Sequence, residues 1–468
     1  MLFQKNIRII VKILDKRMSD IVEEKIAEVT GNLVDKGIPE EFVDLYVSNY
    51  ELIVPNKVYS FLDKFIGEDY LKIHKDREVA LDYCMMFLEL FSGTYYNVMF
   101  EGWIKLKAKY VRKKIQDRPS TYKHVIEVLS KPRGLKKERM LEINDSYSVG
   151  KYSKMYRLSE SFRCKGITRY SLKSERAKRI LKNFKRRIME ERAVNDIVLN
   201  QIKLYSKLEM PTVEFLEEVA KRRVSEGYRN SKGKLLVFKK DIEEKGLDPK
   251  KHSIVEDDII RYIRTTKGGK MFFPIVSDGN AGGRVTDVIT LMPKWIRLEL
   301  KIDGEEIEEV DYSCLHPNIA IKLYEGNVKK NINHDEIAKE LNIDRNEAKI
   351  EHLSFFNRPI VSCRVDGIYM RGMKDSPLWE YYAKNELAML ERICREKSGS
   401  SREYTRTTKR LFSKEVDMMA DCIRQLNSKG VDVGYVYDAL MCKKSDYEKV
   451  REVMNSVAKE HGVNTTAS

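Results

Sequence analysis

The sequence predicts an α+β protein, with an all-helical N-terminal region followed by a part that mixes strands with helices. Three observations predict it. Residues 1–95 carry apolar residues at helix period, with short breaks at "TGN", "KGIPEE" and "VPNK". After about residue 268 the chain turns to glycine and turn residues, as in "KGGKMFFPIVSDGNAGGR", and strand-like segments appear between helices. Finally, "GVDVGYVYDALMCKK" is almost wholly apolar from Val431 to Cys442, except for Asp432 and Asp438, which reads as a buried hairpin.

The elements follow in order. "MLFQKNIRIIVKILDKRM" reads as an amphipathic helix, since basic residues interrupt its apolar ones and no small-residue cleavage site appears. Residues 101–140 are basic and helical, broken by "DRPS" and "SKPRG". The polar stretch "INDSYSVGKYSKMYRLSESFRCKGITRYS" reads as a hairpin or loop. A long basic helix is expected from about Lys173 to Lys207, and Pro211 and Thr212 open the next one. Farther on, "EEIEEVD" alternates imperfectly as a strand, and "LHPNIAIKLYEG" follows as a helix with Ser313 as its cap and Pro317 in its first turn. No repeat of fixed period is present.

At 468 residues the chain is long enough for two or three domains. No apolar run approaches the roughly 18–20 residues of a membrane span, so no membrane partner is expected. Seven scattered cysteines without a CxxC pair point to a reducing cytoplasm, and away from zinc and disulfides. The net charge of +15 is unevenly placed: residues 1–94 hold 12 basic and 17 acidic side chains, residues 151–190 hold 14 and 3. That basic block is interleaved with Tyr152, Tyr156, Phe162, Tyr170 and Phe184, which suits a nucleic-acid backbone with stacked bases; a solvated lysine-rich surface is the plainer alternative.

Three segments carry candidate chemistry. In "EEVDYSCLHPNIA", Asp311 stands where strand gives way to helix, followed by Tyr312, a candidate nucleotide contact; Asp311 is either a helix cap or a metal-binding carboxylate beside free backbone N–H groups. Asp438 sits within an apolar hairpin whose turn lacks glycine, so it is either a turn residue or a carboxylate that needs a cation. In "DRNEAKIEHLSFFNRP", Arg345 and Lys349 share one helix face. His352 and Phe356 return to nearly that face, a line able to hold the phosphates and base of a nucleotide; the alternative is a surface helix with one ion-paired arginine.

In this order the three segments resemble motifs A, B and C of the family A polymerases, of the bacterial DNA polymerase I type. More distantly they are similar to the single-subunit phage-type RNA polymerases. The resemblance covers roughly residues 270–455. It implies a right-hand polymerase fold with an antiparallel palm sheet and helical fingers and thumb. The corresponding division is a helical accessory region (1–95), a basic thumb-like region (96–267), palm (268–326), fingers (327–412) and a second palm part with the motif C hairpin (413–468). "VDYS" resembles motif A and "VYDALM" motif C, which implies that Asp311 and Asp438 hold two Mg²⁺, with Mn²⁺ as a substitute. "DRNEAK" has the family's Arg-x-x-x-Lys spacing, so Arg345 and Lys349 would grip the incoming triphosphate. "GGRVTDVITLMPKWIRLEL" resembles the region before motif A, with Arg284, and less directly Lys294 and Arg297, toward a primer–template duplex.

The departures matter as well. The motif B aromatic is Leu353 and its tyrosine is Asn357, with Phe356 the candidate to stack in their place. His316 stands where the family's DNA polymerases have a sugar-discriminating glutamate, and Tyr437 and Ala439 flank Asp438 in place of histidine and glutamate. No proofreading domain is expected. The implied activity is a DNA polymerase of a phage or other mobile element, acting in the cytoplasm on DNA (or RNA) primer–template and nucleoside triphosphates. An RNA-synthesising primase or small RNA polymerase is the alternative, and a non-catalytic replication or defence protein with the same fold is another.

Overall fold

The computed structural model describes residues 48–91, 103–115, 117–144, 154–163, 167–192, 195–230, 232–266, 274–277, 282–327, 331–365, 368–398 and 405–468. The expected N-terminal amphipathic helix, Tyr152 and most of the glycine-rich stretch after residue 267 lie outside the described residues. The chain forms two compact units, residues 1–191 and 192–468.

The principal elements of the first unit are β1 (Glu51–Pro55), α1 (Val58–Phe65), α2 (Arg77–Leu88), β2 (Ile104–Lys105), α3 (Ala108–Lys114), α4 (Thr121–Ser130), β3 (Leu141–Asn144), β4 (Met155–Leu158), β5 (Ile167–Ser171) and α5 (Glu175–Arg192). Asp76 starts α2 by accepting from the backbone N–H groups of Glu78 and Val79. From Val79 to Leu88 every residue of α2 is buried, so this helix is enclosed on all sides. Its one acid there, Asp82, accepts from the Tyr170 hydroxyl (2.8 Å), the Ser174 hydroxyl (2.6 Å) and the backbone N–H of Ser174 (2.7 Å). A buried carboxylate satisfied in this way ties α2 to the end of β5.

This unit corrects three expectations. Residues 48–91, the described part of the expected helical region 1–95, are not a separate helical domain, because β1 pairs with β5 antiparallel along five residues, Glu51 opposite Ser171. The hairpin expected in the polar stretch after Ile143 is present, by contrast: β4 pairs antiparallel with β3, and also with β2. Tyr156, Phe162, Tyr170 and Phe184 are all buried, so they build core rather than a stacking platform for bases. Nor does a single basic helix run to Lys207. α5 ends at Arg192, and a second helix begins at Asp196, where the Asn195 side chain accepts from the Val198 N–H.

That helix, α6 (Asp196–Tyr205), opens the second unit. The other principal elements there are β6 (Leu208–Glu209), α7 (Val213–Ser225), β7 (Leu235–Val237), β8 (His252–Ile254), α8 (Val255–Thr266), β9 (Ile275–Val276), β10 (Val285–Thr286), β11 (Lys301–Ile302), β12 (Glu305–Asp311), α9 (Leu315–Leu323), α10 (His334–Leu341), α11 (Arg345–Phe355), β13 (Cys363–Val365), β14 (Ile368–Met370), α12 (Pro377–Asn385), α13 (Leu387–Lys397), α14 (Arg406–Ser428), β15 (Val433–Val436), β16 (Ala439–Lys443) and α15 (Tyr447–Glu460). A five-stranded antiparallel sheet of order β15-β16-β12-β11-β6 is its centre. Because β6 joins this sheet, the expected boundary at residue 267 is absent. The sheet packs on α14 and α15 through Met418, Met419, Cys422, Met454 and Val457, all buried. Among the described residues no helix is long and apolar enough to cross a membrane.

Candidate functional site

β12 and β16 are neighbours, with Asp311 opposite Ala439, so Asp311 ends its strand next to the turn that carries Asp438. The backbone N–H of Tyr312 donates to the Asp438 carbonyl at 3.3 Å. Across 127 residues of sequence, the two acids therefore stand side by side. The β15–β16 hairpin closes through two residues, Tyr437 and Asp438, although the absence of glycine argued against so tight a turn. The chain achieves it by placing Tyr437 in the left-handed region at φ 60°. A bulky side chain there costs about 1–3 kcal/mol.

The capping alternative for Asp311 does not hold, and neither does Ser313 as the cap. α9 begins after Cys314, itself at φ 50°, with no side-chain cap. Instead, residues 466–468 lie along the junction. The Asp311 N–H donates to the Ser468 carbonyl (3.0 Å), the Ser468 N–H to the Asp311 carbonyl (3.1 Å), and the Ser313 N–H to the Thr466 carbonyl (2.8 Å). These bonds fix the backbone and leave the Asp311 carboxylate unused.

One pocket of about 230 Å³ collects Asp311, Asp438, His316, Arg345, Lys349 and His352, with Cys314, His334 and Leu353 also on its wall. The surrounding protein first, and the Asp438 charge second, push the Asp311 carboxyl up to about 7. Asp311 is nevertheless open to solvent at the pocket mouth, so water screens part of that effect. Asp438 is also raised, by burial and then by the charge of Glu415. Two carboxyls raised by the fold contribute stability that is fully present below about pH 4 and lost as the pH climbs to about 7. In metal-free protein, the melting-temperature advantage of Asp311→Asn over wild type is expected to be smaller at pH 5 than at pH 8. An equal gap at the two pH values would show that the fold does not raise the Asp311 carboxyl.

The donor set fits a hard divalent cation. Among the described residues no group of three or more His, Cys, Asp or Glu is placed to hold a metal. Mg²⁺, however, is commonly bound by one or two carboxylates together with water and substrate phosphates, and a repelling acid pair open to a pocket meets that need.

Arg345 and Lys349 project from the exposed side of α11, whose N-terminus is capped by Asp344. Arg345 is 2.9 Å from Asp335, and the Lys349 charge reaches Asp311 and favours its ionised form. His352 is buried; its Nε2 shares a hydrogen bond with the Tyr382 hydroxyl at 2.8 Å, and its Nδ1 has no partner among the described residues. Burial holds its pKa down to about 3. Burial and then the charges of Arg345 and Lys349 hold His334 down to about 4, so both imidazoles are neutral.

No family model matches the chain, and no curated protein does. The assignment of residues to roles therefore rests on geometry.

Geometry removes four residues from their expected roles. Phe356 is 3% exposed and lies against His352, Phe355 and Tyr382, because α11 ends at Phe355 and the helical spacing stops with it. Leu353, 57% exposed, is the apolar α11 side chain that lines the pocket instead. Tyr312 turns into the core, its hydroxyl donating to the Met454 carbonyl at 2.6 Å. Arg297 is buried, 2.6 Å from Glu309 and 2.9 Å from the Met292 carbonyl, so it holds the sheet rather than a duplex. Lys294 is exposed but also pairs with Glu309 at 2.9 Å.

Arg284 is near the acids but clamped. Its Nε donates to Glu415 at 2.7 Å, its guanidinium lies 3.7 Å from the Phe412 ring centre, and the Tyr437 ring is 5.0 Å away. The His316 Nε2 shares a hydrogen bond with the same Glu415 at 2.6 Å. Glu415 was missed by sequence reasoning, yet a signal exists. It sits four residues from both Leu411 and Met419, an acid on the buried stripe of α14. Cys314 and His334, whose Sγ and Nδ1 are 3.1 Å apart, were missed because no spacing rule links them.

Proposed function

We propose that the protein is a template-directed nucleotidyltransferase that extends a nucleic-acid primer, most economically a DNA polymerase. The five-stranded sheet serves as palm and the α10–α13 segment as fingers. One observation carries this reading. An acid that ends β12 and an acid in the turn just before its neighbour β16, 127 residues apart in sequence, share one pocket with an Arg-x-x-x-Lys helix.

In this reading Asp311 and Asp438 hold the divalent cations, which when bound supply an acidified primer hydroxyl and charge neutralisation at the leaving pyrophosphate. Lys349 and Arg345 bind the triphosphate and orient it toward the acids. The neutral His334, its Nε2 without a partner among the described residues, is placed to donate a hydrogen bond on the same side. Lys349→Ala is expected to raise the nucleotide KM about ten- to a hundredfold, the loss of one charge-assisted hydrogen bond or two. Arg345→Ala should cost less, since Asp335 already occupies part of its guanidinium. Steady-state kinetics at saturating primer–template checks both.

The direct test is primer extension on DNA and RNA templates, with deoxy- and ribonucleoside triphosphates supplied separately and Mg²⁺ or Mn²⁺ present. Extension with ribonucleotides alone would move the assignment to the RNA-synthesising alternative. Tight template binding without extension under any combination would sink the enzymatic reading.

A further inference from the structure

Between α11 and α12 the chain forms the two-stranded hairpin β13–β14, paired Cys363↔Met370, Arg364↔Tyr369 and Val365↔Ile368. Residues directly opposite in an antiparallel pair project from one face, so Arg364 and Tyr369 share one face of the hairpin. Tyr369 is 66% exposed. Arg364 is also exposed and has no ion-pair partner among the described residues. Neither side chain contributes to a core. Val361 just before the hairpin is 55% exposed, and Leu353 on α11 is 57% exposed.

The base of this hairpin is firmly held. Glu351 of α11 accepts from Arg358 (2.8 Å), Arg371 (3.0 Å) and the Ser376 hydroxyl (2.7 Å). Asp375 accepts from the Gly372 N–H at 3.2 Å and from the Ser362 hydroxyl. At Gly372 the two legs pass so closely that a Cβ would sit 2.5 Å from the Ser362 nitrogen. A two-stranded hairpin is marginal by itself, so this much anchoring serves to present the Arg364–Tyr369 pair. It is presented from the same helix that carries Lys349 and Leu353 to the pocket.

An unpacked ring and an unpaired guanidinium on one face, with Arg371 and Lys374 just beyond, match an unstacked base and its phosphate. We propose that β13–β14 is a single-strand contact. Tyr369 stacks on an unpaired base of the template, and Arg364 binds the adjoining phosphate, outside the pocket. The word template rests on the nucleotidyltransferase reading; the recognition of a single strand does not.

The test is fluorescence anisotropy with the full chain. The probes are a primer–template bearing a 5′ single-stranded overhang, made in DNA or in RNA, and the same duplex with blunt ends. Arg364→Ala combined with Tyr369→Ala is expected to weaken overhang binding about ten- to a hundredfold, with blunt duplex unchanged. Arg364→Ala alone should also lower the salt slope on the overhang by about 0.7. Tyr369→Phe should retain binding, since the ring and not the hydroxyl is used. Both residues are exposed, so the melting temperature should not move. Loss on both overhangs, or on one, supports the contact and identifies the strand it takes. Unchanged affinity of the double variant overturns it, and so does a wild type that binds blunt and overhanging probes equally. A wild type that prefers the overhang yet incorporates nothing would remove the enzymatic reading while the hairpin contact stood.

Discussion

Asp438→Asn is expected to abolish nucleotide incorporation, by several orders of magnitude, while leaving affinity for primer–template within a few-fold of wild type. The asparagine keeps the size of the side chain and the two-residue turn, so the β15–β16 hairpin should survive. What disappears is one of the two negative charges that make the pocket attractive to a divalent cation. Asp311→Asn should give the same loss from the neighbouring strand. Combining the two should add little, since either one empties the shared function. Extension of a labelled primer, paired with anisotropy on the same primer–template, separates chemistry from binding. Synthesis persisting in Asp438→Asn would remove the foundation of the assignment.

The second large effect concerns Glu415, whose side chain is fully buried. It neutralises Arg284 and holds His316, both beside Asp438. Glu415→Ala strands a desolvated guanidinium, and breaking such a pair costs on the order of 3–5 kcal/mol. The denaturation midpoint of the second unit should fall accordingly, and activity with it. Glu415→Gln keeps the shape and one acceptor oxygen, so it should recover much of the stability. It also removes the charge that raises Asp438, which should then ionise more readily. If the alanine variant unfolds at the wild-type denaturant concentration, Glu415 does not carry the clamp described here.

The parts of the molecule legible in the sequence are those governed by local rules. The i, i+4 placement of Arg345 and Lys349 needs only a helix, and the end of strand β12 at Asp311 needs only its alternation. Asp438 stood out because a charge in an apolar run demands an explanation. What was not legible depends on distant partners. Arg297 looked like a free cation until Glu309 appeared 2.6 Å away, and Phe356 looked available until the helix ended one residue before it. The basic block of residues 151–190 suits a nucleic-acid backbone by composition, but β5 within it is the partner of β1, more than a hundred residues earlier. Tyr437 shows the reverse failure. A sound steric rule argued against its turn, and the fold accepted the strain.

The order of strands in the second unit has a consequence for how the molecule is made. β12 lies between β11 and β16, yet β16 is translated more than a hundred residues later. While the ribosome works through the intervening helices, the nascent chain carries β12 with one ladder edge bare, and its first acid has no companion. Chaperone occupancy should therefore peak in that interval, and a message truncated before residue 433 should yield insoluble product rather than a weakly active one.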